Sequence, residues 1–247
     1  MRVIDAHRVL GARPTGLESG SAEELLDDLD RLSIASAGVT PSWMLHADPR
    51  AADEFELARR RTFDDELRAA DGRLTPVPVI IPALAGAGWP ASPDDVVAPM
   101  VRVCPERHRF EMLGPTALAW WEALATRGVP IALDASECGL GAVAALASRL
   151  PQLSVLVLSP GYRELRRIVE LLEHAPRLRV ETGTLVGAGA LEWLARAVGA
   201  HRLAFGTGAP AWDAAGPRFQ LDHLELPARD VERIASGTWL ELVGDPG

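Results

Sequence analysis

Residues able to move protons or hold a metal recur near the ends of apolar runs in this chain. The first pair is Asp5 and His7 in VIDAHRVLG, Val3 to Gly11. Val3, Ile4 and Val9 favour an extended strand. Residues two apart on a strand share a face, so Asp5, His7 and Val9 are expected together on its inner side. An acid beside an imidazole can serve proton transfer or metal binding. His46 closes VTPSWMLH, Cys104 and His108 follow VRV, and Asp134 ends VPIALD with Glu137 just behind it. Ser159 ends LSVLVLS, Glu181 lies in RVETGT, and Gly208 follows FGT. With His7, the groups of His46, Cys104, His108, Asp134 and Glu137 could form a metal or acid–base cluster if the fold gathers the run ends. Each also has a plain structural role: loop histidines for His46 and His108, and small buried hydrophobes for Cys104 and Cys138. Asp134 could equally be a hydrogen-bonded strand-end carboxylate. Glu181, facing an interior, would need a partner such as an Arg. His174, His201 and His223 fall on helix ends or loops and take no assignment.

The elements that must position these groups alternate. Ser21 to Ser33 carries a helical stripe of Leu25, Leu26, Leu29 and Leu32 behind a Ser21/Glu24 capping box. Val39 to His46 reads as strand two, and Pro49 to Ala70 as a charged helix. Leu74 to Pro82 is strand three, and Val101 to Cys104 a short strand four. Pro115 to Arg127 is a helix stopped by Gly128, Val129 to Asp134 strand five, and Gly141 to Leu150 a helix. Leu153 to Ser159 is strand six, Arg163 to His174 a helix, and Leu178 to Thr182 strand seven. Ala190 to Val198 is a helix, Leu203 to Gly206 strand eight, and Pro227 to Ser236 the last helix. Short strands, apolar on both faces and separated by helices, are the pattern of a covered parallel sheet. Eight such units predict an α/β fold of the (β/α)8 TIM-barrel type, one domain over residues 1–247. Chemistry in such a barrel sits at the C-terminal strand ends, where His7, His46, Cys104, Asp134, Ser159 and Gly208 are expected. A doubly wound open sheet is the alternative, but Gly11-Ala12-Arg13-Pro14 lacks the phosphate-binding glycine pattern.

Composition removes other classes. The formal net charge of −9 argues against a nucleic-acid partner, which would need a basic face. No apolar run approaches a membrane span. No basic region and apolar core of a secretory signal open the chain, and two cysteines make no disulfide framework, so a cytoplasmic location is expected. All 25 Lys+Arg residues are arginines, which removes a lysine nucleophile, a Schiff base and a carbamylated lysine bridge.

The frames along the chain resemble the amidohydrolase superfamily, in the amidohydrolase-related branch that includes aminocarboxymuconate-semialdehyde decarboxylase and several lactone hydrolases. Ile4-Asp5-Ala6-His7-Arg8-Val9-Leu10-Gly11 resembles the family's metal-binding I-D-x-H-x-H-L-G, with Val9 at the second His. Gly128 to Asp134 resembles G-x-P-V-x-x-H, with Asp134 at the His. Pro151-Gln152-Leu153 leading to Ser159-Pro160-Gly161 resembles P-x-L followed by H-x-G, with Ser159 at the His. Arg202 to Pro210 resembles R-x-x-F-G-S-D-x-P, with Gly208 at the catalytic Asp. Ile234 to Thr238 resembles the I-L-G-G-N ending.

The resemblance thus implies a metal-dependent hydrolase scaffold on which His7 is a vestigial ligand. A catalytic zinc needs about three protein ligands, and without a metal the pKa of water returns from about 7 toward 15.7. A lone general base, worth about 10² to 10⁴ in rate, does not restore that loss. No cofactor is therefore expected, zinc or another divalent ion entering only if the site has been rebuilt. The expected function is a non-catalytic binding, regulatory or partner subunit. The alternative is an active hydrolase or decarboxylase of a small carbonyl or carboxylate substrate, using a rebuilt site. His7 and Asp134 are the candidate catalytic groups, and His7, His46, Asp134, Ser159, Glu181 and Gly208 the candidate binding positions for a small polar ligand. Trp120 and Trp121 cannot both face the barrel from one helix, so one is a candidate interface residue. A homo-oligomer or a complex with a related amidohydrolase chain is expected.

Overall fold

The computed structural model describes residues 1–11, 20–46, 54–83 and 88–244, with the backbone alone for 54–58. In chain order come β1 (Ile4–Leu10), α1 (Ala22–Arg31), β2 (Ser36–Pro41), α2 (Ser42–His46), α3 (Glu54–Ala69), β3 (Leu74–Pro76), β4 (Val79–Ile80) and β5 (Val101–Val103). Then follow α4 (Pro115–Thr126), β6 (Ile131–Asp134), α5 (Ala135–Arg149), β7 (Val155–Leu158), α6 (Leu165–His174) and β8 (Leu178–Glu181). The chain ends with α7 (Ala190–Val198), β9 (Leu203–Ala204), α8 (Ala215–Asp222), α9 (Ala228–Glu232) and α10 (Thr238–Val243). A π-helical turn, Arg233–Gly237, joins the last two helices.

All neighbouring strands pair in parallel, β1-β2-β3 in one ladder and β4-β5-β6-β7-β8-β9 in another. β3 and β4 are halves of one strand, broken at Val77-Pro78 because proline has no N–H to give the ladder. The break is stitched: Val77 N donates to Val39 O at 2.8 Å, and Arg102 N to Pro78 O at 2.8 Å. The other seam is closed as well. Ala6 N donates to Phe205 O at 2.9 Å, Gly208 N to His7 O at 2.9 Å, and Val9 N to Ala209 O at 3.1 Å. The ring therefore has the eight strand positions that the alternation predicts.

Two apolar layers hold it. Outward residues such as Val101, Val103, Ile131, Leu133, Val155 and Val157 pack against Leu124, Leu146, Ile168, Leu172 and Leu194 of the helices. Inward residues Ile4, Ala6, Met100, Ala132, Leu156 and Ala204 fill the lumen with Trp239, which comes up from α10. Gly38 is small where it must be, since a Cβ there would strike the Trp239 ring.

Several local expectations are corrected. Only residues 36–41 are strand; Ser42 to His46 turns into the short helix α2. His46 therefore ends a helix, exposed, rather than a strand. α5 begins at Ala135, not Gly141, and bends at Gly139, whose φ of 74° is left-handed. α8 was not foreseen. Trp120 and Trp121 are both buried, so neither marks an interface. Trp121 is fully buried and gives its Nε1–H to Met112 O at 2.9 Å, while Trp120 lies against Gly88. Half of the capping box expected at α1 is present: Ser21 Oγ accepts from Glu24 N, but Glu24 Oε2 accepts from Gly20 N rather than from Ser21 N.

Candidate active site

The first strand sets the site, and a bulge decides which residues enter it. The β1–β2 register shifts between Asp5 and Arg8. Ile4 and Ala6 lie in the lumen, so Asp5 between them points out to the helix layer, not inward with His7 as strict alternation predicts. There Asp5, fully buried, accepts from His7 N (3.0 Å), Arg8 Nε (2.6 Å), Thr207 N (3.0 Å) and Thr207 Oγ1 (2.7 Å). Arg8 continues to Asp28 on α1 at 2.7 Å. This buried chain of charge-assisted bonds ties β1, the turn after β9 and α1 together beneath the mouth.

Beyond the bulge, His7 and Val9 face inward. His7 is 5% exposed, and its Nδ1 lies 3.6 Å from Glu181 Oε2. At that distance the two form an ion pair when the imidazole is protonated, and Nδ1 has no hydrogen-bond partner otherwise. Glu181, at the end of β8, is fully buried. The arginine expected as its partner is replaced by backbone amides: Ser159 N donates to Oε2 at 2.9 Å, and Gly183 N donates to Oε1. The niche depends on two glycines, because a Cβ at Gly183 or Gly206 would come within 2.5 Å of Glu181 atoms. Ser159 takes a left-handed φ of 46°, which turns its amide to Glu181, and its buried Oγ has no partner. Gly208 abuts the His7 ring: a Cβ there would lie 3.4 Å from His7 Nδ1 and 2.7 Å from Trp212 Cδ1.

The next wall is Arg102 on β5, inward like Met100. It is 4% exposed, and Nη2 stands 3.6 Å from Asp134 Oδ2. Its Nε and Nη1 have no acceptor. Asp134 caps α5, taking Ser136 N at 2.9 Å and Ser136 Oγ at 2.7 Å. Sequence reasoning missed Arg102, although an Arg between two valines of a strand buried on both faces is a visible signal. Cys104 lies above it among Val9, Trp43, Met44, Leu45 and Val79. Burial pushes the Cys104 thiol up to about 11. Glu137 is drawn off by Arg107, whose Nε lies 2.6 Å away and whose amide lies 3.1 Å away.

The structure thus gathers His7, Ser159, Glu181 and Gly208, and sets Asp134 on Arg102. It does not bring His46 or Glu137 to them. Among the described residues, no three His, Cys, Asp or Glu side chains cluster so as to hold a metal ion. The donor set itself does not fit one: Val9 is packed in an apolar cluster, Gly208 is hemmed by Trp212 and His7, and Asp134 is engaged by Ser136 and Arg102.

A closed parallel barrel with its polar groups at the C-terminal strand ends defines the class. The family model described as Amidohydrolase matches residues 43–244, and the chain belongs to that family. Solved structures agree on the fold. The 5-carboxyvanillate decarboxylase of Sphingomonas paucimobilis superposes with a TM-score of 0.75 at 12% identity, over 98% of this chain and 99% of that one. An uncharacterized TIM-barrel protein of Bordetella bronchiseptica gives 0.77 at 14%, over 99% of each. A dihydroxybenzoic acid decarboxylase of Polaromonas sp. JS666, with bound manganese, gives 0.68 at 12%, over 98% and 97%. No curated protein matches the chain. The relatives of named activity among these structures are decarboxylases. No helix among the described residues is long and apolar enough to cross a membrane.

Proposed function

We propose that this chain is an amidohydrolase-family enzyme that works without a resident metal, using a rebuilt site on a small carbonyl- or carboxylate-bearing substrate. The observation that carries this is the pairing of His7 with a fully buried Glu181 at the barrel mouth. The carboxylate is held by two amides, which fixes it beside the His7 ring. His7 then accepts or returns a proton at the mouth, a contribution of about 10² to 10⁴ in rate. Arg102 offers its unpartnered N–H groups to a substrate oxygen, the kind of preorganised donor that stabilises developing negative charge. With unactivated water at a pKa near 15.7, turnover is slow and confined to reactive substrates. The family match and the decarboxylases among the structural relatives support the enzyme part of this reading; its metal-free part rests on the donor set alone.

A second reading is a binding, regulatory or partner subunit. What favours it is that Val9 and Gly208, at the positions where the resembled family carries a ligand His and the catalytic Asp, have no donor atom and are packed shut. One experiment separates the two: chelator-treated protein is assayed on a panel of lactones and small aromatic carboxylates, beside His7→Ala. Slow turnover that survives chelation and disappears in the variant supports the enzyme. Saturable binding without turnover supports the subunit.

A further inference from the structure

The opposite, closed end of the barrel carries a concentration of positive charge that the mouth chemistry does not use. Arg179 on β8 and Arg202 before β9 converge on one carbonyl, Leu178 O, at 3.2 Å from Arg179 Nη1 and 2.8 Å from Arg202 Nε. Arg179 and Arg233 converge on one carboxylate, Glu241, with Arg179 Nη2 3.2 Å from Oε1 and Arg233 Nη2 on Oε2. Two guanidiniums therefore share one acid and the third, Arg202, sits beside Arg179 on a shared carbonyl, in a protein whose formal net charge is −9. Arg202 is 7% exposed. Buried Nε atoms of Arg179 and Arg233 have no partner, and buried donors ordinarily do.

We propose that Arg179, Arg202 and Arg233 form an anion site at the closed end of the barrel that takes a phosphate dianion, free or as a phosphomonoester. Of the three guanidiniums, two pair with the Glu241 carboxylate and Arg202 meets only carbonyls, which leaves an excess of two positive charges that a dianion balances. Guanidinium forks match phosphate oxygens in geometry. The excess is felt by the groups themselves. Burial and then Arg179 lower Arg202 to about 10. Burial, then Arg233 and Arg177, lower Arg179. Burial, then Arg179, Arg202 and Arg233, lower His201. Glu241 neutralises one of these charges; an added anion would offset the rest. Arg179 and Arg202 also bond carbonyls at the C-terminal end of α6, Ala175 and Pro176. That accounts for part of their donor capacity and leaves the Nε atoms of Arg179 and Arg233 without a partner.

The test titrates inorganic phosphate, and separately AMP, into the whole chain at constant ionic strength with chloride as the control. It follows thermal stability and the His201 resonances. A saturable rise in Tm and an upward move of the His201 titration are expected. Arg233→Gln should weaken binding about tenfold or more, since one charge-assisted contact is lost. Glu241→Gln, which removes the competing acid from an exposed position, should tighten it. Tighter binding of AMP than of phosphate assigns a phosphomonoester, and equal binding assigns free phosphate. A non-saturable response shared by the unaltered chain and Arg233→Gln, or a Glu241→Gln chain that binds no more tightly, would overturn the site. Either result leaves the His7 reading untouched, because the two sites lie at opposite ends of the barrel.

Discussion

Glu181 Oε2 stands 3.6 Å from His7 Nδ1 and 2.9 Å from the amide of Ser159, so one buried carboxylate links β1, β7 and β8 at the barrel mouth. Removing it should affect stability and site together. Glu181→Ala leaves two buried amides without acceptors and should cost about 3–5 kcal/mol, the range for breaking a buried charged group's interactions. Glu181→Gln should cost less and still lower any His7-dependent turnover. Urea denaturation and the substrate panel measure the two effects. Equal stability of Glu181→Ala and the unaltered chain would remove Glu181 from this role.

The Asp5–Thr207 contact closes the ring between β1 and β9. Thr207→Val deletes the 2.7 Å bond to Asp5 and should destabilise by about 1.5–3 kcal/mol, the range for a hydrogen bond to a charged group. Asp5→Ala strips the buried Arg8 of its nearest carboxylate and should cost about 3–5 kcal/mol. Denaturation midpoints at fixed slope give both values.

Much of this arrangement is legible in the sequence. Alternating short apolar strands and helical stripes specify the parallel barrel, and the run ends bring His7, Ser159 and Gly208 into one mouth. What was misread has local causes. A single shifted register in β1 sends Asp5 to the opposite face from His7, and no side-chain pattern announces a bulge. Ser42 to His46 is apolar enough to read as strand, yet coils directly after Pro41. Trp120 and Trp121 both find cover because Trp120 lies against Gly88 and Trp121 lies against Met112 and Phe110, which helical spacing alone does not reveal. Glu181's partners are amides, and amides are present at every non-proline residue, so only the fold selects them.

Acid sensitivity should report the Arg8–Asp28 contact. Burial raises the Asp28 carboxyl, but hydrogen bonds from Arg8 and Arg31 outweigh it and leave it below its ordinary value. A depressed folded pKa contributes stability that is complete above the unfolded value, about 3.9, and is lost as pH falls through the folded one. Asp28→Asn should therefore be less stable at neutral pH and lose less stability on acidification below pH 4. A pH series of thermal melts checks the sign.

Both thiols should be inert in the native state. Burial pushes Cys104 up to about 11 and Cys138 up to about 12, Cys138 also lying beside the Glu137 carboxylate. At pH 8 each should alkylate with iodoacetamide at least about a hundredfold more slowly than a free thiol of pKa near 8.5. Mass spectrometry of native and urea-unfolded samples compares the rates.

The claim that this family member works without a resident metal rests on Val9, Gly208 and Asp134 being unable to complete a ligand set around His7. Metal analysis by plasma mass spectrometry on purified protein, dialysed against metal-free buffer, tests it directly. The expected content of zinc, manganese and iron is far below one ion per chain and the same in His7→Ala. A content close to one ion per chain, lost in His7→Ala, would contradict it.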